Sequence, residues 1–207
     1  MKEVSHMVNQ DYIETIKKRR SIYALGKNVA DNNEDIAQLI QSAIKESPSS
    51  FNNQTVRAAI LFGESSDKLW EIVAERLKSE VPDAESYKAT RQKVDSFKAG
   101  VGTILFFTDD DIVQQYQEQL SLYAENFPIW ADQANGMAQI NVWQALAAND
   151  IGASLQHYNP LIDDDVHTAF DIPESWNLRG QMPFGSIEAP AGTKEYMTDD
   201  ARFKIFK

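Results

Sequence analysis

The stretch Gly100-Val101-Gly102-Thr103-Ile104-Leu105-Phe106-Phe107-Thr108-Asp109-Asp110-Asp111 decides how the rest of the chain is read. Its centre, Thr103 to Phe107, is short and rich in β-branched and aromatic residues, which fits a buried strand rather than a helix. Gly100 and Gly102 end the helical stretch before it, about Ala84 to Lys98. Asp109-Asp110-Asp111 close the strand and read as a solvated helix start.

Working toward the N-terminus, Val56 to Phe62 reads as a second strand. Ser65 or Ser66 then caps a helix whose apolar stripe is Leu69, Trp70, Val73 and Leu77. Ile36, Leu39, Ile40, Ala43 and Ile44 fall at i, i+3, i+4, i+7 and i+8, so they define a helix that Asn33 caps and that stops before Pro48. Glu34 and Asp35 suit its positive end. A first helix covers about Asp11 to Lys18, with Ile13 and Ile16 on its inner face.

Toward the C-terminus, helix resumes at Asp111 and runs to about Phe127-Pro128. The longest apolar helix follows, roughly Ala131 to Asn149. Met137, Ile140, Trp143, Leu146 and Ala147 leave it little solvated surface, so it belongs at the centre of the fold or in a subunit interface. Gly152 is a C-cap signal, Ala153 to Tyr158 a short strand ending at Asn159-Pro160, and Asp163 to Phe170 an acidic helix. Asn177 to Glu188 reads as a strand that Pro183 demotes to an edge or bulged position. The tail from Pro190 carries weak local signals and needs a docking surface.

With 207 residues and 43% hydrophobic positions, the chain supports a self-sufficient core. No linker or repeat divides it, so residues 1-207 are read as one domain. The absence of cysteine excludes disulfides, thiolate metal sites and cysteine nucleophiles. The histidines, His6, His157 and His167, lack metal-ligand spacing. A net charge of -11 argues against a nucleic-acid surface, which needs many basic phosphate contacts. No secretory or membrane-spanning pattern is present, which gives a cytoplasmic expectation with no membrane partner. Any anionic ligand must be held by a local cluster.

Three segments carry chemistry. Lys17-Lys18-Arg19-Arg20-Ser21 offers guanidinium forks and a hydroxyl to a phosphate, although a solvated helix end has the same composition. Ser47-Pro48-Ser49-Ser50-Phe51-Asn52-Asn53-Gln54 presents small polar groups suited to a flat heteroaromatic ligand, although taken alone such a loop is more often an ordinary helix-to-strand connection. Gln139 and Asn141 place polar groups on the apolar helix, where they require an internal partner or a ligand. His157 is a lone histidine, more often structural than a ligand. Motifs for hydrolytic or dinucleotide chemistry are absent.

In this order, Arg19-Arg20-Ser21, the loop Pro48 to Gln54, the stretch Gln139 to His157 and the late pair Arg202 and Lys204 resemble the nitroreductase family of FMN-dependent flavoenzymes. The phrasing is most similar to the branch named after the yeast fatty-acid-repression-mutant protein. Thr55-Val56 stand where many members have Pro-Trp, and Tyr23 where a basic residue is frequent. The resemblance implies an α+β fold, with a mostly antiparallel sheet flanked by helices, built as an intertwined homodimer with FMN at the interface. It implies that Arg19, Arg20, Arg202 and Lys204 neutralise the phosphate while Ser21 adds a donor and Tyr23 stands nearby. Ser49, Ser50, Asn52 and Gln54 would line the ring and ribityl chain, with Gln139 and Asn141 on the helix behind them. Leu155, Gln156 and His157 would approach from the other side. It further implies ping-pong transfer from NAD(P)H to a nitroaromatic or quinone-type electron acceptor, with no catalytic side chain. The same clamp would serve an FMN sensor or sequestering protein.

Overall fold

The computed structural model describes residues 10–207; His6 lies outside them. In chain order the elements are α1 (Asp11–Lys18), β1 (Leu25–Gly26), α2 (Asn33–Lys45), β2 (Val56–Phe62), α3 (Glu64–Lys78), α4 (Ala84–Lys98), β3 (Gly102–Asp109), α5 (Asp110–Gln119), α6 (Phe127–Ala148), β4 (Gly152–Ala153), α7 (Asp163–Phe170), β5 (Trp176–Ile187) and α8 (Asp199–Arg202). The strands order β1-β5-β3-β2, with β4 also on β5, and every strand pair is antiparallel. This is the α+β architecture expected.

β3 is buried along its whole length. Its side chains alternate between two cores, as a pleated strand with both faces covered requires. Leu105 and Phe107 join Leu69, Trp70, Val73 and Phe97 beneath α3 and α4. Ile104 and Phe106 join Ile36, Ile40, Val142 and Leu146 beneath α2 and α6. On β5, Leu178 faces the first core whereas Met182 and Phe184 face the second. Equal spacing parity would put all three on one face. Arg179 is the extra residue of a bulge, since Phe106 pairs with Gly180 and Phe107 with Leu178, and one inserted residue flips the faces.

Several expectations change. Pro183 does not put β5 at an edge. Its carbonyl accepts from Ser154 N at 3.3 Å, so its backbone faces the irregular Ser154-Leu155 segment, where a missing N–H breaks no ladder with β3. The Ala153 to Tyr158 strand shrinks to Gly152–Ala153 plus a bridge between Gln156 and Gln181. Pro128 opens α6 rather than closing α5, because its lost N–H is unneeded in a first turn. Between them a 3-10 segment covers Ser121–Asn126. Asn32, not Asn33, caps α2, accepting from the Glu34 and Asp35 amides. α3 starts at Glu64, after Gly63 at φ 53, with no side-chain cap. Ser66 is instead buried and bonded to Thr103 Oγ1 at 2.8 Å. Gly100 follows the end of α4, where a Cβ would stand 2.5 Å from the Phe184 carbonyl oxygen. After α6 the turn is made by Asp150 at φ 58, which frees Gly152 for β4. α1 buries no residue, and Ile13 is 42% exposed. No helix among the described residues is long and apolar enough to cross a membrane.

Candidate functional site

Arg19 leaves α1 in an extended conformation. Ser21 then bridges Ala153, with the Ile22 amide donating to the Ala153 carbonyl at 2.9 Å. β1 pairs with the end of β5, and Glu188 N donates to Ala24 O at 3.0 Å. The chain entering β1 therefore runs beside the chain leaving β5. Between residues 19–24 and 189–194 opens a cavity of about 510 Å³.

Three cations face this cavity: Arg19, Arg20 and Lys194. Arg20 Nη2 donates to the Gly192 carbonyl at 2.6 Å, which ties the segment after β5 to the basic run. The Arg19 guanidinium lies 4.4 Å from the centre of the Trp143 ring, a cation-π arrangement. Burial, and then the neighbouring Arg20 charge, hold Arg19 below its ordinary pKa. Ser21 and the exposed Tyr23 complete the wall. In a chain of net charge -11 this group supplies local positive potential for a phosphate.

The polar loop has a different character. Phe51, Asn52 and Gln54 all have positive φ, at 54°, 53° and 51°. Such backbone costs about 1 to 3 kcal/mol per residue and persists only where its surroundings hold it, most often at binding sites. Ser49 Oγ accepts from the Gln54 amide at 2.9 Å, and Arg57 Nη1 donates to the Gln54 carbonyl at 2.6 Å. From α6, Asn141 Nδ2 donates to Ser47 Oγ at 2.8 Å. Ser49, Gln54 and Arg57 line a recess of about 160 Å³. On the other side, Ser50, Phe51, Trp130, Gln133 and Met137 line a recess of about 330 Å³.

Gln139 and Leu155 converge on Gly180, where a Cβ would stand 3.4 Å from Gln139 Nε2 and 3.2 Å from Leu155 Cδ1. Gln139 is oriented by Asn135 Oδ1 at 2.7 Å, and Asn135 in turn donates to the Phe107 carbonyl at 2.9 Å. Gln156 is buried and turns its amide to Ser154 Oγ at 3.1 Å. It builds the strand edge instead of presenting a side chain. His157 is exposed.

The structure thus gathers Arg19, Arg20, Ser21 and Tyr23 about one cavity, and Ser49 and Gln54 about another. Asn52 is exposed and lines neither of the loop's recesses. Arg202 and Lys204 lie on the exposed tail, Arg202 stacked on Phe203, and line neither cavity. Lys194, which the sequence reading did not name, lines the same cavity as Arg19 and Arg20. Only the β1–β5 pairing reveals it, since nothing local distinguishes Lys194. Arg57, which the sequence reading did not single out, also lines the polar loop's recess, and a cation following a polar loop is a signal that was available.

A model of the nitroreductase family matches residues 16–186. The chain belongs to the nitroreductase family. Among its relatives, putative nitroreductase HBN1 of Saccharomyces cerevisiae is 37% identical over 91% of this chain and 94% of the yeast one. Nitroreductase FRM2 of the same yeast is 31% identical over the same shares, in agreement with the fatty-acid-repression-mutant branch. Nitroreductase CinD from Lactococcus lactis, solved in complex with nicotinic acid, is 52% identical at a TM-score of 0.88, covering 95% of this chain and 100% of that one. Its other structures hold chloramphenicol and 4-nitrophenol. The match reaches from the end of α1 through β5, and so includes Arg19 to Ser21 and the strained loop of this nitroreductase.

Proposed function

We propose that this nitroreductase binds FMN and passes electrons from NAD(P)H to nitroaromatic or quinone-type acceptors, in alternation, as a cytoplasmic homodimer of single-domain chains. The observation that carries the reading is the cluster Arg19, Arg20 and Lys194 about the 510 Å³ cavity of an acidic chain. Its donors suit a phosphate monoester. The strained loop suits the rest of the cofactor: Ser49, Ser50, Asn52 and Gln54 present hydroxyls and amides from a held backbone. Bound FMN supplies the chemistry, since flavin N5 accepts hydride and gives it up again without a protein nucleophile.

The chain's own residues then bind and orient. Arg19 and Arg20 neutralise phosphate, and Trp143 holds Arg19 in place. Asn141 fixes the base of the loop through Ser47. Phe51 and Trp130, with ring centres 6.3 Å apart, form an apolar wall for a flat acceptor. The nicotinic acid and 4-nitrophenol complexes of CinD support ligands of both kinds. No side chain needs to titrate, because the protein's contribution is positioning.

The dimer rests on apolar surface that one protomer leaves uncovered. Tyr196, Met197, Phe203, Ile205 and Phe206 are all more than half exposed, as is Tyr12 on α1. A second copy is the covering that also gives Arg202 and Lys204 something to bind. Titrating apoprotein with FMN by flavin fluorescence, at several protein concentrations, tests both parts. Saturable binding at one FMN per chain is expected, and no binding by the dimer would refute the reading.

A further inference from the structure

We propose that Arg57 is a positioning residue that locks the 49–54 loop in its cofactor-binding conformation by tying Gln54 to Asp109 on β3. The inference rests on the FMN reading above and extends it to a residue outside the expected contacts.

Among the described residues, Arg57 supplies the only side-chain hydrogen bond that enters residues 49–54 from outside them. Nη1 donates to the Gln54 carbonyl at 2.6 Å and to the Val56 carbonyl at 3.1 Å. Nη2 pairs with Asp109 Oδ2 at 2.9 Å. The guanidinium also lies 5.9 Å from the Trp176 ring centre. One planar fork thus holds the strained residue with one arm and the sheet with the other, a geometry that a single ammonium does not reproduce.

Asp109 shows a preference for this partner. It occupies the N-cap position of α5, where an aspartate ordinarily accepts from the first-turn amides, yet it makes no such bond. Its side chain is 10% exposed, and Oδ1 is buried without a partner. The Arg57 cation is what balances this carboxylate. The main chain completes the brace, because Asp109 N donates to Thr55 O at 2.8 Å and Arg57 sits opposite Phe107 in the β2–β3 ladder. Gln54, at φ 51, therefore has a rigid anchor behind it, while the loop's other hydrogen bonds close within residues 49–54.

The test compares wild type, Arg57→Lys, Arg57→Ala, Gln54→Gly and the Arg57→Ala/Gln54→Gly double variant. FMN dissociation constants are measured on apoprotein, and hydrogen exchange of the loop amides is measured without FMN. Arg57→Lys, which keeps the charge, should weaken FMN binding about tenfold, and Arg57→Ala up to about a hundredfold, the scale of one charge-assisted hydrogen bond. The loop amides of both should exchange faster. Glycine adopts positive φ without steric cost, so the Arg57→Ala loss should be smaller in the Gln54→Gly background. Wild-type affinity and exchange in Arg57→Lys, or an equal Arg57→Ala loss in both backgrounds, would overturn the proposal. If wild type itself binds no FMN, the cofactor reading fails, while the exchange data still decide whether Arg57 holds the loop.

Discussion

Replacing Arg20 with alanine removes two contacts at once. The structure gives Arg20 a bond to the Gly192 carbonyl at 2.6 Å, and the proposed function gives it the FMN phosphate. A hydrogen bond to a charged group contributes about 1.5 to 3 kcal/mol, so loss of the phosphate contact alone weakens FMN binding roughly ten- to hundredfold. Release of the 189–194 segment also loosens Lys194, which adds to the loss. Arg20→Lys should recover part of the affinity, since it keeps the charge but not the fork. Groups that share one ligand couple, so Arg20→Ala and Lys194→Ala should be non-additive. The assay is quenching of flavin fluorescence on titrating apoprotein, at low and moderate salt, and the wild type should show the steeper salt dependence. Unchanged affinity in Arg20→Ala would refute the assignment of the basic run.

Thr103→Val should destabilise the fold by about 1 to 3 kcal/mol in denaturant titration, because Thr103 Oγ1 accepts from the buried Trp70 indole at 2.9 Å and would leave it unpaired. Glu71, hydrogen-bonded first by Arg91 and then by Lys98, has its pKa lowered to about 2. A lowered folded-state value stabilises above the ordinary carboxylate pKa of 4.5 and is lost as pH falls toward 2. Glu71→Gln should therefore flatten the fall in melting temperature across that window. The site is half exposed, so the effect at neutral pH stays below about 1 kcal/mol. Removing residues 195–207 deletes the exposed Tyr196, Met197, Phe203, Ile205 and Phe206, and sedimentation should show a shift from dimer to monomer. His157→Asn should lower turnover only modestly in steady-state assays, since the ring is exposed.

Elements whose burial is decided locally were legible from sequence. β2, α4, α7 and the core of β3 fall where periodicity and composition put them. Errors arose where tertiary pairing decides. Pro183 is tolerated inside the sheet only because its backbone faces an irregular segment, and no pattern within β5 announces that neighbour. The Arg179 bulge, which reverses the faces of β5, is equally invisible in one strand read alone. Asp109 looked like a solvated helix start, yet Arg57 draws it inward. At the site, the basic run and the polar loop were found by residue type. Lys194 was not, because the β1–β5 pairing brings the segment after β5 to the cavity that Arg20 lines, across a long chain separation.

The central claim is tested most directly by one anaerobic experiment on FMN-loaded protein. NAD(P)H is added first and 4-nitrophenol or a quinone second, while flavin absorbance is followed. The account predicts bleaching by NAD(P)H and return of the colour with the acceptor. Protein that holds FMN but neither bleaches with NAD(P)H nor recovers with an acceptor would contradict it.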